Sequence, residues 1–474
     1  MNESLHPRYS LVADSGAWKT VPLGEIAEVK LGKMLDKAKH QRGRKFPYLR
    51  NINVRWGAVD TNDVFEMHFE DDQVERFSLR AGDVLVCEGG EPGRAAVWNG
   101  HVAEMKFQKA IHRVRFNVPF EARLLVYLLE SLAKSGGLER RFTGSTIKHF
   151  TREAFIQLPI PLPPLPEQRR IVAEIEKQFT RLEAGVAALR RVQANLKRYR
   201  AAVLKAACEG RLVPTEAELS RTQPSTKNSQ PSYETGAELL ARILTERRQN
   251  WQGRGKYKEP AAPDTANLPS LPEGWTWATL DQLLIYLRNG WGLKPNAETG
   301  TPILRISSNR PMSVNLDDVR FLSGPAEDYA EYFVTEGDLL FTRYNGNANL
   351  TGVCGIVPAL DTKIVHPDKL IRVRLVPKLC LPKFVGMVAN VGVSRAFVAS
   401  RARTTAGQTG ISGPDLRGIP VMLPPLAEQT RIVAEVERRL SVVEELESVV
   451  SANLQRATRL RQSILQKAFT GGLV

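Results

Sequence analysis

The chain has 474 residues, of which 42% are hydrophobic and 25% charged, as is usual for a folded protein of three or four domains. Its net charge of +15 indicates a polyanionic partner, most often nucleic acid, although a basic excess also serves solubility. The four cysteines are scattered and form no CxxC pair, which argues against a zinc site or a disulfide framework. The sequence lacks an apolar N-terminal segment and any run of about 18 apolar residues. It therefore predicts a cytoplasmic protein that does not span a membrane.

The first part of the chain has the patterning of a mixed α/β domain. Residues 21–30 predict a short strand or turn that leads into a helix. Residues 111–116 (IHRVRF) alternate apolar and polar types, which predicts a half-buried strand. Residues 122–132 predict a helix, and the polar residues 143–150 predict a loop. Further strands are predicted over residues 46–54, 84–87 and 95–98.

A proline-rich stretch ends this part, and a long helix follows it. Residues 162–176 read LPPLPEQRRIVAEIE. Proline cannot donate a hydrogen bond to a strand, and Glu167 suits the positive end of a helix dipole. Apolar residues then recur every three or four positions from Ile171 to Val203, close to a coiled-coil seam. The pattern predicts a helix of roughly 40 residues, about 60 Å long.

A polar segment separates the two halves of the chain. Residues 214–270 are rich in Pro, Ser and Thr, which is typical of a linker. Within them, residues 237–251 predict a short amphipathic helix.

The second half repeats the first. Residues 423–437, LPPLAEQTRIVAEVE, match residues 162–176 at 12 of 15 positions with an offset of 261. Shorter matches align Trp275 with Trp18, PILRIS with PYLRNI, EGDLL with AGDVL, IRVRL with HRVRF and TAGQTGIS with GSTIKHFT. Because the framework recurs and the polar residues between its positions differ, we expect two copies of one scaffold with different contact residues.

The two long helices are predicted to pair with each other. A narrow apolar stripe on so long a helix needs a partner, and the other copy is the obvious one. The alternative is that each helix packs separately on its own domain. Acidic residues fill the first half of the second helix, and basic residues fill the last half of both. This grading favours an antiparallel pair, but complementarity to each helix dipole also explains most of it.

No catalytic constellation is recognisable. The sequence contains neither a GxxxxGK phosphate loop, nor HExxH, nor the tetrapeptide of an amino-methyltransferase, and its seven histidines have no ligand spacing. The Gly-rich stretch at Gly89, Gly90 and Gly93 predicts a tight turn, and Asp83 and Asp338 beside glycine suit turn conformations. The residues therefore favour binding over chemistry.

Polar and basic residues concentrate in the loops of both α/β parts. Lys and Arg neutralise phosphates, and Arg, Asn and Gln can make bidentate contacts to base edges. A residue of this kind, taken alone, is more often a solvated surface residue than a DNA contact. The predicted DNA contacts are Lys33, Lys37, Lys39, Arg42, Arg44, Lys45, Arg50, Asn51, Asn53, Arg55 and Lys148 in the first part, and Lys294, Arg305, Ser307, Asn309, Arg310, Arg343, Tyr344, Asn345, Asn347, Arg401, Arg403 and Gln408 in the second.

This order of globular part, long helix, linker, globular part and long helix resembles the specificity (S) subunit of type I restriction–modification enzymes. The duplicated motif and its helices carry the resemblance; KYKEPAAPDTANLPSLPEGWTWATL, the AGDVL and EGDLL turns, and GQTGIS support it. It implies an α+β fold class, with two pseudo-repeated mixed α/β target recognition domains separated by a long antiparallel two-helix coiled coil. One departure is GSTIKHFT, where the second copy has AGQTGIS, so the base contacts of this loop can differ.

The resemblance implies the following boundaries. Residues 1–161 form the first recognition domain, 162–213 the first spacer helix, 214–270 the linker, 271–422 the second recognition domain and 423–474 the second spacer helix.

The resemblance also implies a non-catalytic function. Each domain is expected to read one half of a bipartite, gapped site in double-stranded DNA, while the coiled coil sets the gap and docks two modification (methyltransferase) subunits. Restriction subunits add translocation and cleavage, so S-adenosylmethionine, ATP and Mg are expected on partners, with no cofactor on this chain. The expected partner contacts are Leu162, Pro163, Pro164, Leu165, Glu167 and Gln168 with Leu423, Pro424, Pro425, Leu426, Glu428 and Gln429.

Two other functions remain open. A coiled-coil adaptor could join proteins without touching DNA, but the basic charge and the divergent loops argue against it. A self-contained nuclease or methyltransferase would need the catalytic motifs that the sequence lacks.

Overall fold

The computed structural model describes residues 18–34, 42–222, 233–251, 255–405 and 407–473. They fall into two compact units. The first unit is drawn from Met1–Val192 and Val449–Val474, and the second from Gln193–Ser448. Among the described residues, no helix is long and apolar enough to cross a membrane.

The first unit is built around a four-stranded antiparallel sheet. Its strands are β1 Lys19–Pro22, β2 Ala27–Leu31, β3 Arg44–Leu49, β4 Val54–Arg55, β5 Ala58–Val59, β6 Phe65–Phe69, β7 Val84–Cys87, β8 Ala95–Val97, β9 Lys106–Phe107, β10 Ile111–Phe116 and β11 Pro159–Leu162; its helices are α1 Leu23–Ile26, α2 Asp71–Arg76, α3 Ala122–Lys134 and α4 Arg152–Ile156. The central sheet has the order β2-β10-β7-β8.

Most local predictions for this unit are confirmed. Strands β7 and β10 and helix α3 lie where the patterns place them. Strand β10 is more buried than its alternation predicts, because hydrophobic clusters cover both faces of the sheet: Val84 and Val114 belong to one, and Leu85 and Ile111 to the other. The predicted helix within residues 21–30 is only the single turn α1, since the residues after it join the sheet as β2.

The second unit repeats this architecture. Its strands are β12 Thr276–Thr279, β13 Leu284–Asn289, β14 Thr301–Leu304, β15 Asn309–Arg310, β16 Ser313–Val314, β17 Val319–Leu322, β18 Leu339–Thr342, β19 Tyr344–Asn345, β20 Cys354–Ile356, β21 Leu370–Leu375, β22 Arg403–Thr405, β23 Gln408–Gly410 and β24 Pro420–Leu423; its helices are α6 Glu216–Thr222, α7 Gly236–Gln249, α8 Leu280–Leu283, α9 Pro382–Ala389, α10 Gly392–Arg401 and α11 Gly413–Arg417. The sheet order β13-β21-β18-β20 matches β2-β10-β7-β8 strand for strand. The internal repeat in the sequence is therefore a repeat of the fold.

The segment between the repeats contributes to the core of the second unit. Helix α7 confirms the predicted short helix, and its Leu239 and Ile243 are fully buried. Its N-cap Thr235 accepts a hydrogen bond from the backbone N–H of Glu238, which satisfies one of the unpaired donors of the first turn. Because the segment is polar overall, its composition alone does not indicate that one face of this helix is buried.

Two helices of 44 residues, α5 Leu165–Cys208 and α12 Leu426–Phe469, each contribute to both units. In the first unit, Ile171 and Ile175 near the start of α5 share a core with Ile464 near the end of α12. Arg461 of α12 also stacks over the ring of Phe179 at 3.8 Å. The start of one helix thus packs against the end of the other.

The second unit contains the complementary halves of the same two helices. Val203 near the end of α5 shares a core with Ile432 near the start of α12. Arg200 forms salt bridges with Glu444 at 3.6 Å and Glu447 at 3.2 Å. The predicted antiparallel pairing is confirmed within each unit, and in each unit the two helices also pack on the α/β fold.

A buried ion pair recurs in the two sheets. The carboxylate of Asp83 accepts hydrogen bonds from Nε and Nη2 of Arg115, both at 2.7 Å. The carboxylate of Asp338 accepts the same pair from Arg374 at 2.7 and 2.8 Å. Such bidentate pairs combine strong hydrogen bonds with a fixed geometry. Each aspartate therefore links its Gly-Asp turn to the neighbouring strand. The sequence predicts only that these aspartates suit a turn conformation.

Candidate nucleic-acid interface

Three loops meet in the first unit at the ends of β3, β7 and the segment before α4. The Asn51 amide donates to the carbonyl of Gly89 at 3.4 Å. A Cβ on Gly89 would lie 3.4 Å from Nδ1 of His149, and one on Gly90 would lie 3.1 Å from the Asn51 amide nitrogen. Gly90 also has a positive φ of 76°. The positive φ and the close Asn51 amide favour glycine at position 90, whereas a Cβ on Gly89 would make an ordinary contact.

The corresponding loops of the second unit form a small three-stranded sheet. Strand β23 lies between β19 and β22. Tyr344 and Asn345 pair with Gly410 and Thr409 of β23, and Arg403 pairs with Gly410 from the opposite side. The cations of Arg343 and Lys369 lie 4.8 and 5.6 Å from the centre of the Tyr344 ring. The cluster thus presents an aromatic ring, two cations and amide groups.

Two of the predicted arginines hold equivalent turns. Arg50 pairs with Asp63 at 2.6 Å and lies 3.8 Å from the centre of the Phe65 ring. Arg305 pairs with Asp318 at 3.1 Å, and the Ser307 hydroxyl also donates to Asp318. Both arginines therefore have an internal anchor in addition to any contact with a ligand.

Three other predicted residues are engaged inside their units. Asn53 and Asn309 are only 3% and 2% exposed. The amide of Asn53 donates to the carbonyls of Asp60 and Asp63, and that of Asn309 to the carbonyls of Leu340 and Val353. Lys33 donates to the His68 carbonyl at 2.7 Å and to Gln73 at 2.6 Å. Hydrogen bonds within the fold use the donors of these side chains, so the side chains stabilise the loops from inside.

The remaining predicted residues are available at the surface. Asn51, Arg343, Tyr344 and Asn345 are half-buried within the two loop clusters. The exposed residues are Arg42, Arg44, Lys45, Arg55, Lys148, Lys294, Arg310, Asn347, Arg401, Arg403 and Gln408. Lys37 and Lys39 lie outside the described residues.

The clusters also include residues that the sequence-based set lacks. Glu88 follows β7, His149 lies against Gly89, and Lys369 lies near Tyr344. For Glu88 a signal existed, since the offset of 255 that aligns AGDVL with EGDLL also aligns Glu88 with Arg343. His149 and Lys369 have no comparable signal.

The repeated proline motif is largely internal to its own unit. The side chain of Gln168 accepts from the backbone N–H of Glu121 at 2.9 Å and donates to the carbonyl of Pro163 at 2.8 Å. Gln429 likewise accepts from the N–H of Leu381 at 3.3 Å and donates to Pro424 at 3.1 Å. Each glutamine fastens its long helix to the residue preceding α3 or α9, which gives the near-identity of the motif an internal reason.

Glu428 has a further internal role. Its carboxylate accepts from Nε1 of Trp275 at 2.9 Å and from the backbone N–H of Glu216 at 3.1 Å. Burial raises the pKa of the Glu428 carboxyl above its usual value, and these hydrogen bonds oppose the shift only in part. The carboxylate joins the starts of α6 and α12.

Burial limits how the motif could contact a partner. Pro163, Gln168, Leu423, Pro424, Pro425, Glu428 and Gln429 are buried. Pro164 is exposed, and Leu162, Leu165, Glu167 and Leu426 are half-buried. Only the second group offers a surface to another protein.

Two cavities lie at equivalent places beside the motif. The first, of about 670 Å³, is bordered by Ala58 and Glu176, and the second, of about 640 Å³, by Ser313 and Glu437. A salt bridge lines each of them, Arg123–Glu176 in the first unit and Lys383–Glu437 in the second.

The linings of the two cavities differ. The first contains His101 and Tyr127, whose hydroxyl donates to Glu176 at 3.3 Å. Burial and the nearby Glu176 charge raise the pKa of Tyr127 to about 12. The second is more apolar, with Met312, Ile356 and Val433. In the part of the chain that the structure describes, no group of three or more His, Cys, Asp or Glu side chains could hold a metal ion.

The chain is similar to known proteins in sequence and in fold. A family model described as the type I restriction modification DNA specificity domain matches residues 16–188. The chain is 33% identical over 332 residues to the type I restriction enzyme EcoKI specificity subunit of Escherichia coli (strain K12), which covers 70% of this chain and 61% of that protein. It is 23% identical over 470 residues to the type I restriction enzyme StySPI specificity subunit of Salmonella potsdam, with 96% and 89% covered.

The fold has a close counterpart among solved structures. A chain solved in work on complex assembly and conformational transition of the type I R-M system has a TM-score of 0.66 at 18% identity, covering 99% of this chain and 100% of that one. At this identity the likeness concerns the fold alone.

Proposed function

Since the chain belongs to the family of type I restriction–modification specificity subunits, we propose that it is the sequence-specific DNA-binding subunit of such a complex. Each unit reads one half of a bipartite, gapped target. The repeat carries this proposal: the two units share strand order and the Asp–Arg framework pair, yet Glu88 and Asn51 occupy the loops of one, and Arg343 and Tyr344 those of the other. A shared scaffold with different loop chemistry suits two different half-sites.

The exposed and half-buried residues of the loop clusters supply the contacts. Exposed cations such as Arg44, Lys148 and Arg403 neutralise phosphates without reading sequence. Asn51, Asn345 and Gln408 have the donor and acceptor pattern that pairs with adenine edges in the major groove. Two modules that must bind at once add their recognition energies, which separates the target from a genome of competing sites.

The paired helices α5 and α12 set the distance between the half-sites, and two methyltransferase subunits dock on the chain. The equivalent cavities beside the motif support two docking positions for copies of one partner. Because most side chains of the motif are buried, the cavity linings are the proposed contact surfaces instead. Restriction subunits complete the complex. Methyl transfer, translocation and cleavage occur on the partners, which bind S-adenosylmethionine, ATP and Mg, and this chain contributes recognition only.

Electrophoretic mobility shift with the full chain and its methyltransferase partner tests the proposal. We expect binding that depends on sequence in two separated blocks and weakens steeply with salt, because phosphate contacts release counterions. Binding that ignores sequence, or no binding at all, would favour the coiled-coil adaptor, which joins proteins without DNA.

A further inference from the structure

Glu88 and Arg343 occupy the same position in the two repeats. Each is the residue after the third strand of its central sheet, β7 or β18. The N–H of Glu88 donates to the Ala110 carbonyl at 2.9 Å, and its carbonyl accepts from Phe150 at 2.8 Å. The N–H of Arg343 donates to Lys369 at 2.8 Å, and its carbonyl accepts from Ile411 at 2.9 Å. The backbone is held alike in both, and the side chain changes from acid to base.

The Glu88 side chain has an unmet acceptor. It is only 7% exposed, and its Oε2 has no hydrogen-bond partner among the described residues. Burying such an acceptor without a donor costs free energy, so native proteins rarely leave one unpaired. Glu88 immediately precedes Gly89 and Gly90, which lie against His149 and Asn51 in the loop cluster. The backbone of Glu88 therefore adjoins the loop cluster while its carboxylate is buried, and a base edge can reach the carboxylate only after the side chain turns outward.

Arg343 is the counterpart with unused donors. Its guanidinium lies 4.8 Å from the centre of the Tyr344 ring, and it makes no hydrogen bond or ion pair within the described ranges. Other arginines of the same unit are engaged, since Arg305 pairs with Asp318 and Arg374 with Asp338. The donors of Arg343 thus remain available at the edge of the β19–β23–β22 sheet.

Resting on the proposed function, we propose that Glu88 and Arg343 are specificity-determining residues that read opposite kinds of base edge at equivalent positions of the two half-sites. Glu88, with its side chain turned outward from the buried position, accepts a hydrogen bond from the exocyclic amino group of a cytosine. Arg343 donates to O6 and N7 of a guanine. A carboxylate has only acceptors to offer and a guanidinium only donors, which is why each selects one kind of base edge in the major groove.

Glutamine substitutions at both positions give a matched test. The full chain, assembled with its methyltransferase partner, is offered DNA with randomised half-sites, and bound sequences are counted. Because glutamine pairs with N6 and N7 of adenine, Glu88→Gln should change one cytosine to adenine in one half-site, and Arg343→Gln one guanine to adenine in the other. At each changed position the preference for the original base should fall about 5- to 150-fold.

Glu66→Gln and Arg320→Gln are the controls, since both residues are exposed on strands β6 and β17. They remove the same charges and should leave every selected base unchanged. If the unaltered chain selects a bipartite site and Arg343→Gln selects the same bases, this inference is overturned and the proposed function stands. If the unaltered chain selects no sequence, the proposed function itself fails. Arg343→Gln decides the matter alone should Glu88→Gln fail to fold.

Discussion

At the scale of single residues, the polar side chains divide into those that hold the fold and those left over for a ligand. Asp83, Asp338 and Gln429 have their hydrogen bonds satisfied inside their units. Glu88 and Arg343 lie in the loop clusters with acceptors or donors unused. The division predicts which substitutions change stability and which change recognition.

Replacing the buried aspartate of the second sheet should destabilise that unit. Asp338→Ala removes both acceptors of the Arg374 pair and the acceptor for the N–H of Thr335. Because charge-assisted hydrogen bonds are lost, the free energy of unfolding should fall by about 1–3 kcal/mol, measured by chemical denaturation. Asp361→Ala, at an exposed position, is the control and should leave it unchanged. Equal stability of Asp338→Ala and the unaltered chain would contradict the framework role.

The raised pKa of Glu428 predicts a pH-dependent effect of Glu428→Gln. A carboxyl whose folded pKa lies above its unfolded value destabilises the fold when ionised, and this cost disappears as pH falls through the folded pKa. The variant should therefore gain stability relative to the original chain near pH 7, and the gain should shrink as the pH falls towards the unfolded value of 4.5. Thermal unfolding across this pH range measures it.

Glu445→Gln on the exposed side of the same helix is the matched control and should show no such trend. A gain for Glu428→Gln that is constant with pH would contradict the burial of an ionised carboxylate.

At the scale of elements, the repeat is a repeat of joints as well as of sheets. Gln168 and Gln429 fasten α5 and α12 to the residues that precede α3 and α9, and a cavity lies beside each joint. These equivalent hydrogen bonds give a structural reason for the similarity of the two motifs. We therefore propose that a partner contacts the cavity surfaces.

Filling the cavities should change the stoichiometry of the complex. Ala58→Trp and Ser313→Trp place a bulky ring at equivalent exposed positions on β5 and β16. If each cavity docks one methyltransferase subunit, each variant should bind one copy instead of two, and the double variant none, by native mass spectrometry. Thr362→Trp, on an exposed loop outside the cavity lining, should still bind two. Two copies on the double variant would refute docking there.

At the scale of the whole molecule, we propose that the helices set the spacing of the half-sites, while the sheets and loops determine which bases each half-site contains. Both helices run for 44 residues without a proline after their first turn, and Gly185 is the glycine within α5. A Cβ on Gly185 would meet nothing within 4 Å, so a side chain at this position is sterically tolerable.

Lengthening helix α5 should alter the gap alone. Inserting one helical turn between residues 185 and 197 should change the number of unspecified base pairs between the half-sites while each half-site keeps its bases, read from a map of methylated sites. The complementary control is an exchange of residues 280–420 for those of a relative, which should change one half-site and keep the gap. An unchanged gap after the insertion would refute the spacer role.

Local patterns in the sequence were sufficient for the elements and the repeat. Hydrophobic periodicity places β7, β10, α3 and the two long helices, and the duplicated motif predicts two copies of one fold, because these signals depend on residues that are neighbours in the chain. The family resemblance likewise came from motifs and their order.

The orientation and burial of the polar side chains depend on the tertiary structure. Asn53 and Asn309 are of a residue type that can contact base edges, but both are buried. Glu428 accepts a hydrogen bond from Trp275, which lies 153 positions away in the chain. The unpaired oxygen of Glu88 exists because β7 and its loop are packed between segments distant in sequence. Hydrogen-bond partners across such separations depend on how the sheet, loops and helices pack, which no local pattern encodes.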